Sequence, residues 1–340
     1  MQFEALAKNF SRKDLPQSEV EFTGEVPYRE LEPYRERALK TLSQELELPG
    51  FRKGKVPADL ALKKIGEVAI LEEAVNLFVH EFYPALVEGQ KIDVVGRPHI
   101  HITNLPAGRQ GSLPNNPVGL TIRTAVYPEV VLPRDWRAVG VSVPPEFAAP
   151  TTEEEVQQTL ESLQKNKKAE KLDDEFAKSV GAFESLDALK AQIRWGLGEE
   201  KERAARDKRR GALIEKLLEK SEVAVPHVFV ESELQKIIAQ LKEDVKRLGL
   251  TYEGYLKQTN KTEEQLRADF RAQAEKRAKL QLVLNKIAEE EKIEADKEAV
   301  EREMKHALGH FPQANPELLG IHIQTVLRNE KVLQLLEGNK

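Results

Sequence analysis

From Thr152 to its end the chain carries apolar residues at helical spacing behind explicit start signals, and this dictates a helical architecture for more than half its length. Thr152 with Glu155, and Thr262 with Gln265, have the spacing of capping boxes. Ser185 stands before the apolar series Leu186, Leu189 and Ile193, and Pro226 suits a first helical position. A first helix is predicted through Val156, Leu160 and Leu163, then helices over about 185–220, 226–248, 262–292, 296–308 and 316–336. Charged residues at 32 % and aromatics at 6 % suit long, exposed helices. The mixed-sign stretch 199–210 reads as a solvated helix face, and no fixed period indicates a solenoid.

The N-terminal part reads differently. Strands are predicted at 2–8 and 15–26, the second from the alternation of Val20, Phe22 and Val26. A helix follows through Leu31, Tyr34, Ala38, Leu39, Leu42 and Leu46, with Pro33 tolerable only in its first turn. Helical spacing returns at Leu60, Ala61, Lys64 and Ile65, then from Ile70 through Ala74, Leu77, Phe78 and Phe82 to Leu86. Strands are predicted again at 98–104 and 118–127, around a flexible turn at 106–117. The expected fold is an α+β domain over 1–127, an antiparallel sheet with helices on one face, and an extended all-α domain with arm-like helices over 151–340. Pro128, Pro133, Pro144, Pro145 and Pro150 make 128–150 an extended, Pro-rich linker.

Between two N-terminal helices lies Gly50-Phe51-Arg52-Lys53-Gly54-Lys55-Val56-Pro57. Two glycines and a proline describe a loop, which presents Arg52, Lys53 and Lys55 rather than packing them. Phe51 gains little from water at such a tip and suits a partner's pocket. A solvated turn is the plainer reading of such a basic run. A phosphate-binding P-loop is disfavoured, because that motif places four residues between its glycines and Ser or Thr after its lysine.

Net charge is −5, with 52 basic against 57 acidic residues, so no DNA-binding or broadly nucleic-acid-binding character follows and a basic site must be local. The chain has no cysteine, which excludes disulfides, thiolate metal sites and thiol catalysis. The N-terminus lacks the regions of a signal peptide and no apolar run is long enough to span a membrane, so a soluble, cytosolic protein without membrane partners is expected. Seven histidines include the i, i+4 pair His306 and His310, but no catalytic Glu stands between them and Gly309 and Pro312 point to a helix end. No metal, cofactor or catalytic residue is expected.

The pattern Gly-Phe-Arg-x-Gly-Lys-x-Pro, on a loop between helices near the N-terminus, resembles the ribosome-docking signature of the trigger factor family of bacterial chaperones. Leu172-Asp173-Asp174-Glu175-Phe176-Ala177-Lys178 is similar to the segment that opens that family's C-terminal helical domain. The likeness covers nearly the whole chain. It implies an ATP-independent chaperone docked on the large ribosomal subunit, at protein and rRNA near the tunnel exit, through Gly50, Phe51, Arg52, Lys53, Gly54, Lys55 and Pro57. Nascent or unfolded polypeptides would be shielded in a helical cradle. Candidate client contacts are Leu248, Leu250, Tyr252 and Tyr255 in one segment, and Phe311, Leu318 and Leu319 in another. The family's FKBP-like prolyl isomerase domain is missing near 165–172, where 163–171 leads almost directly into Leu172, so catalysis should be missing with it. The resemblance also implies a homodimer off the ribosome. Rival readings are a holdase acting mainly in that dimeric form, a prolyl isomerase with residual catalysis, and a free RNA-binding protein.

Overall fold

A computed structural model describes residues 2–104 and 116–338. They divide into two compact units, Met1–Glu129 with Val223–Lys279, and Val130–Glu222 with Leu280–Lys340. The flexible turn predicted at 106–117 lies almost wholly outside the described residues.

The first unit opens with helix α1 (Gln2–Ala7), where a strand was expected. Phe3, Ala5 and Ala7 imitate a period of two. The packing follows a helical one, in which Phe3 meets Phe78 and Phe82 edge-on at 5.9 Å while Leu6, Ala7 and Phe10 are buried. The strand expected at 15–26 is β2 (Glu19–Val26), shorter at its start, and an unexpected β1 (Ser11–Leu15) pairs with it as a hairpin. Its turn holds Gln17 and Ser18 at φ 61° and 53°, a left-handed region entered here without the Gly or Asn that normally announces it. Helices α2 (Tyr28–Glu45), α3 (Ala58–Ile65) and α4 (Glu67–Gln90) follow, then β3 (Val94–Asn104) and β4 (Val118–Val126). The antiparallel sheet runs β1-β2-β4-β3, with Phe22 opposite Ile122 and Val20 opposite Thr124.

This register points Val20, Phe22, Val26, Leu120 and Ile122 at the helices. There they meet an apolar stripe of α4 formed by Ile70, Ala74, Phe78, Phe82 and Leu86, all fully buried. Pro33 sits at the sixth residue of α2, beyond the first turn. It forgoes one backbone hydrogen bond, while Leu31, Tyr34 and Ala38 on the same helix stay buried in the core. Above that core Tyr34 donates to Glu81 at 2.7 Å and Arg37 donates to the same carboxylate at 2.8 Å. From the other end of the chain, α9 (His227–Arg247), short α10 (Tyr252–Thr259) and the first part of α11 (Glu263–Glu290) belong to this unit.

In the second unit the Pro-rich stretch is not extended throughout. A helical turn at Trp136–Ala138 and α5 (Val139–Ser142) bury Trp136 and Val139, and Gly140 lies so close to the Leu336 carbonyl that a Cβ would meet it at 2.1 Å. One apolar pair three residues apart was too short to register as periodicity. Helix α6 (Glu153–Lys167) carries its capping box as predicted, with Thr152 and Glu155 exchanging hydrogen bonds. It packs with α7 (Asp174–Val180) and α8 (Leu186–Lys220) around Val156, Leu160, Phe176, Ala177 and Leu189. α12 (Lys297–His310) and α13 (Pro316–Leu336) complete the unit. The architecture is thus an antiparallel sheet with helices followed by a largely helical region.

The stretch 199–210 does more than face water. Lys201 pairs with Glu155 at 2.6 Å, Arg209 donates to the Val143 and Glu337 carbonyls, and Arg210 grips Glu330 and Glu337 at 2.5–3.2 Å. Hydrogen bonds to these two carboxylates hold the Arg210 pKa above its already high ordinary value.

Two measurements test the first unit. Phe82→Ala should lower its stability by about 3–5 kcal/mol, read as faster hydrogen exchange of the β2 and β4 amides. Tyr34→Phe should cost about 1 kcal/mol at neutral pH. The hydrogen bond from Tyr34, then that from Arg37, lowers the Glu81 pKa, so this contribution is present above the ordinary carboxylate range and is lost as pH falls through the lowered value. Burial, then the Glu81 bond, pushes the Tyr34 hydroxyl up to about 12, so its share is complete below pH 10 and fades towards pH 12. The gap between parent and Tyr34→Phe should therefore close in acid; a constant gap from pH 7 to pH 3 would show that the hydrogen bond is not its source.

Candidate functional site

The loop 46–57 joins α2 to α3, and its stems are anchored while its tip is not. Leu39 and Leu42 near the end of α2, and Leu62 and Ile65 of α3, pack against the core, and Ala61 is fully buried. Between them the backbone makes two successive hydrogen-bonded turns. The Phe51 amide donates to the Leu48 carbonyl at 3.0 Å, and the Lys55 amide donates to the Arg52 carbonyl at 2.9 Å. Each turn has glycine at its third position, Gly50 at φ 89° and Gly54 at φ 74°, which is the residue a type II turn demands there. Gly54 also lies beside the Gln44 carbonyl, 3.3 Å from where a Cβ would stand. Pro49 supplies the fixed φ of the first turn, and Pro57, its carbonyl accepting from Leu60 and Ala61, starts α3.

The side chains follow from this backbone. Phe51 is 42 % exposed although nothing in its chemistry favours water, and Leu60 one turn into α3 is 43 % exposed. Val56 is buried and pins the loop's return. Arg52, Lys53 and Lys55 are exposed. Lys53 lies 4.0 Å from Glu47, a pair so open to solvent that it is worth at most about 1 kcal/mol. Arg52 and Lys55 have no side-chain partner among the described residues. The arrangement is a rigid stem carrying one ring and three cations into solvent.

The other candidate residues fall into two sets. Leu248 is 77 % and Phe311 64 % exposed, and Leu250 and Leu318 are exposed as well. Tyr252, Tyr255 and Leu319 are half-buried. Tyr252 is engaged within its own unit, with the Lys242 ammonium 4.5 Å from its ring centroid and burial raising its hydroxyl pKa. Leu319 precedes Gly320, which sits against Met304 of α12. Sequence reasoning missed Ile321, 56 % exposed and three residues from Leu318 on α13, and also Phe147, Val141 and Trp195, exposed at 87 %, 87 % and 63 %. Helical spacing could have shown Ile321; the others stand outside any apolar series.

His306 and His310 stack edge-on at 4.7 Å on the last turn of α12, which reaches two residues further than the spacing indicates. Among the described residues no group of three or more His, Cys, Asp or Glu could hold a metal, and no helix is long and apolar enough to cross a membrane.

The Leu172-Asp173-Asp174 segment shows what its carboxylates do. Asp173 caps α7 by accepting from the Phe176 amide at 2.9 Å, and Asp174 accepts from the Leu186 amide at 2.7 Å, the first residue of α8. Leu163, Ala169 and Leu172 pack onto the small α6–α7–α8 core. The point where the central domain was expected to be missing is therefore closed by contacts of its own.

Comparison with known proteins agrees along the chain. The family model for bacterial trigger factor protein matches residues 8–163, and the model for the C-terminus of the same protein matches 185–337. No isomerase domain is matched beside these two. A trigger factor from Desulforudis audaxviator is 25 % identical, covering 97 % of this chain and 96 % of the relative. That alignment runs over 431 positions against the 340 residues here, so the relative carries residues without counterpart in this chain. A trigger factor from Caldicellulosiruptor bescii is 25 % identical over 76 % of this chain and 78 % of the relative. A solved structure of the trigger factor chaperone, described under promiscuous substrate recognition in folding and assembly, aligns at TM-score 0.49 and 17 % identity over 96 % of this chain and 99 % of that one. With its sheet-bearing N-terminal half and its helical C-terminal half each matched to the corresponding part of one family, the chain belongs to the trigger factor family.

Proposed function

We propose that this protein is an ATP-independent chaperone of the cytoplasm that docks on the ribosome beside the nascent-chain exit and has no prolyl isomerase activity. The observation that carries the reading is the two-turn loop, which holds Phe51 partly exposed beside Arg52, Lys53 and Lys55 on a stem anchored in the core. Such a tip suits a rigid surface that offers an apolar crevice and phosphates or carboxylates. Phe51 enters the crevice, Arg52 engages an anion bidentately, and Lys55 adds a point charge. Lys53 exchanges its weak contact with Glu47 for the partner. Docking through so few charges is reversible, with a log–log salt slope of about −0.7 to −0.9 per neutralised phosphate.

Client segments bind elsewhere, on apolar side chains rimmed by charge. Leu248, Leu250, Phe311 and Leu318 remain the candidates by exposure, and Ile321 extends the last of these. Tyr252, Tyr255 and Leu319 stay candidates beside them, half-buried where the others are exposed. The dimeric reading has no separate support among these residues. The closed α6–α7–α8 junction supports an absence of catalysis, since two family matches leave only 164–184 between them.

Ribosome co-sedimentation tests the docking. The combined Phe51→Ala, Arg52→Ala, Lys53→Ala variant should lose about thirtyfold or more in affinity at low salt, the scale of a lost anchor residue. Equal pelleting of variant and parent would remove the loop from the mechanism. Gly54→Val should weaken docking by about tenfold while leaving every contact side chain in place, because both φ and the Gln44 carbonyl oppose a Cβ. Undiminished docking by Gly54→Val would mean that the loop's geometry is made only on binding.

A further inference from the structure

Apart from the loop and the apolar surfaces, one pair of side chains has the geometry of a ligand set. His306 and His310 stand four residues apart on α12, which places them one above the other on a single helix face. Gly309 and Pro312 point in the sequence to a helix end near 308. In the structure Gly309 stays helical, and Pro312 acts only on the residue before it. Phe311 leaves the helix at φ −130° and ψ 71°, so both histidines remain inside it. Their ring centroids are 4.7 Å apart, with the planes at 69°. Both side chains are exposed, and neither makes a hydrogen bond or an ion pair among the described residues.

Two imidazoles so placed can hold one metal ion between them. A tetrahedral centre with bonds of about 2.0–2.1 Å keeps two ligand nitrogens roughly 3 Å apart, a span that exposed rings at this separation reach by side-chain rotation alone. Imidazole suits Zn²⁺, Ni²⁺ and Cu²⁺, whereas Mg²⁺ and Ca²⁺ take oxygen ligands, which this pair does not supply. The backbone favours a cation as well. α12 has 14 residues and the pair lies on its last turn, at the negative end of the helix macrodipole. Of the charged side chains just before the pair, Arg302 and Lys305 oppose a cation and Glu301 and Glu303 offset them. Glu303 shares the face of His306 at i, i+3, but it does not come close enough to make a group of three ligands. Water fills the remaining coordination positions.

We propose that His306 and His310 form a bidentate site for a divalent transition-metal ion of the Zn²⁺ class, and that the bound ion orders the end of α12. The ion closes a ring across one helical turn. Within that turn Ala307 accepts from the Phe311 amide at 2.8 Å, and the Phe311 carbonyl accepts in turn from Ala314 at 3.0 Å. Phe311, 64 % exposed, is therefore tethered to the very turn that the ion clamps. The metal site does not rest on the chaperone reading; only a use of Phe311 by clients does.

Isothermal titration calorimetry of the full chain with Zn²⁺ at pH 7.5, without any added histidine tag, tests the site. His306→Gln and His310→Gln should each weaken binding by at least about tenfold, since each removes one of two ligands, while Mg²⁺ at the same concentration gives no heat. Both positions are exposed, so thermal unfolding of the metal-free variants should match the parent. Hydrogen exchange supplies a readout that an ion held elsewhere would not move. Zn²⁺ should slow exchange of the Phe311 amide about threefold or more in the parent and in neither variant. Equal Zn²⁺ affinity in parent and both variants would overturn the proposal, because the ion would then sit on other side chains. A loss in one variant alone would also overturn it, since the ligation would not be bidentate. Unchanged exchange at Phe311 in the loaded parent would overturn the ordering of the helix end.

Discussion

Everything the first unit presents depends on one packing interaction, the apolar stripe of α4 against the inner face of the sheet. Phe78 and Phe82 stack at 5.3 Å and share ring contacts with Phe3, Phe10 and Tyr34, so α1, α2 and the segment that leads into the hairpin are all referred to the same helix. The exposed loop inherits its rigidity from this. Both stems end in the core, so the order of the tip does not depend on contacts of Phe51 or the cations themselves. On the proposed docking, a partner meets side chains whose backbone is already fixed, which lowers the entropic cost of binding. The sheet's second face inherits its register from the same core. A one-residue slip of β3 would bury His99 and His101 and expose Ile100 and Ile102.

The helical unit solves a different problem with different means. It has few aromatic residues, and α8 runs for 35 residues with only Leu189, Leu213, Leu217 and Leu218 buried. Its middle is held by cations instead. Lys201, Lys208, Arg209 and Arg210 reach Glu155, Glu146 and the end of α13 in turn. Single exposed ion pairs contribute little, but Arg210 is partly sheltered and bidentate, and it shares its carboxylates with a network. The capping carboxylates Asp173 and Asp174 add short-range order where α6, α7 and α8 meet. Where the two family matches leave only 164–184 between them, the chain thus closes that point with one small core and two side-chain caps.

These differences set what was legible in the sequence. Helix starts are local chemistry, so Thr152 with Glu155 and Thr262 with Gln265 were readable, and both make the reciprocal hydrogen bonds expected of them. The loop was readable because glycine at positive φ has no substitute there. The N-terminal helix was not, since six residues satisfy either period and only Phe78 and Phe82 decide between them. The hairpin turn was hidden by left-handed Gln17 and Ser18, and Trp136 by an apolar pair too short to show a period. Exposure of Phe147 and Trp195 depends on which neighbours are absent, a fact about packing that no motif encodes.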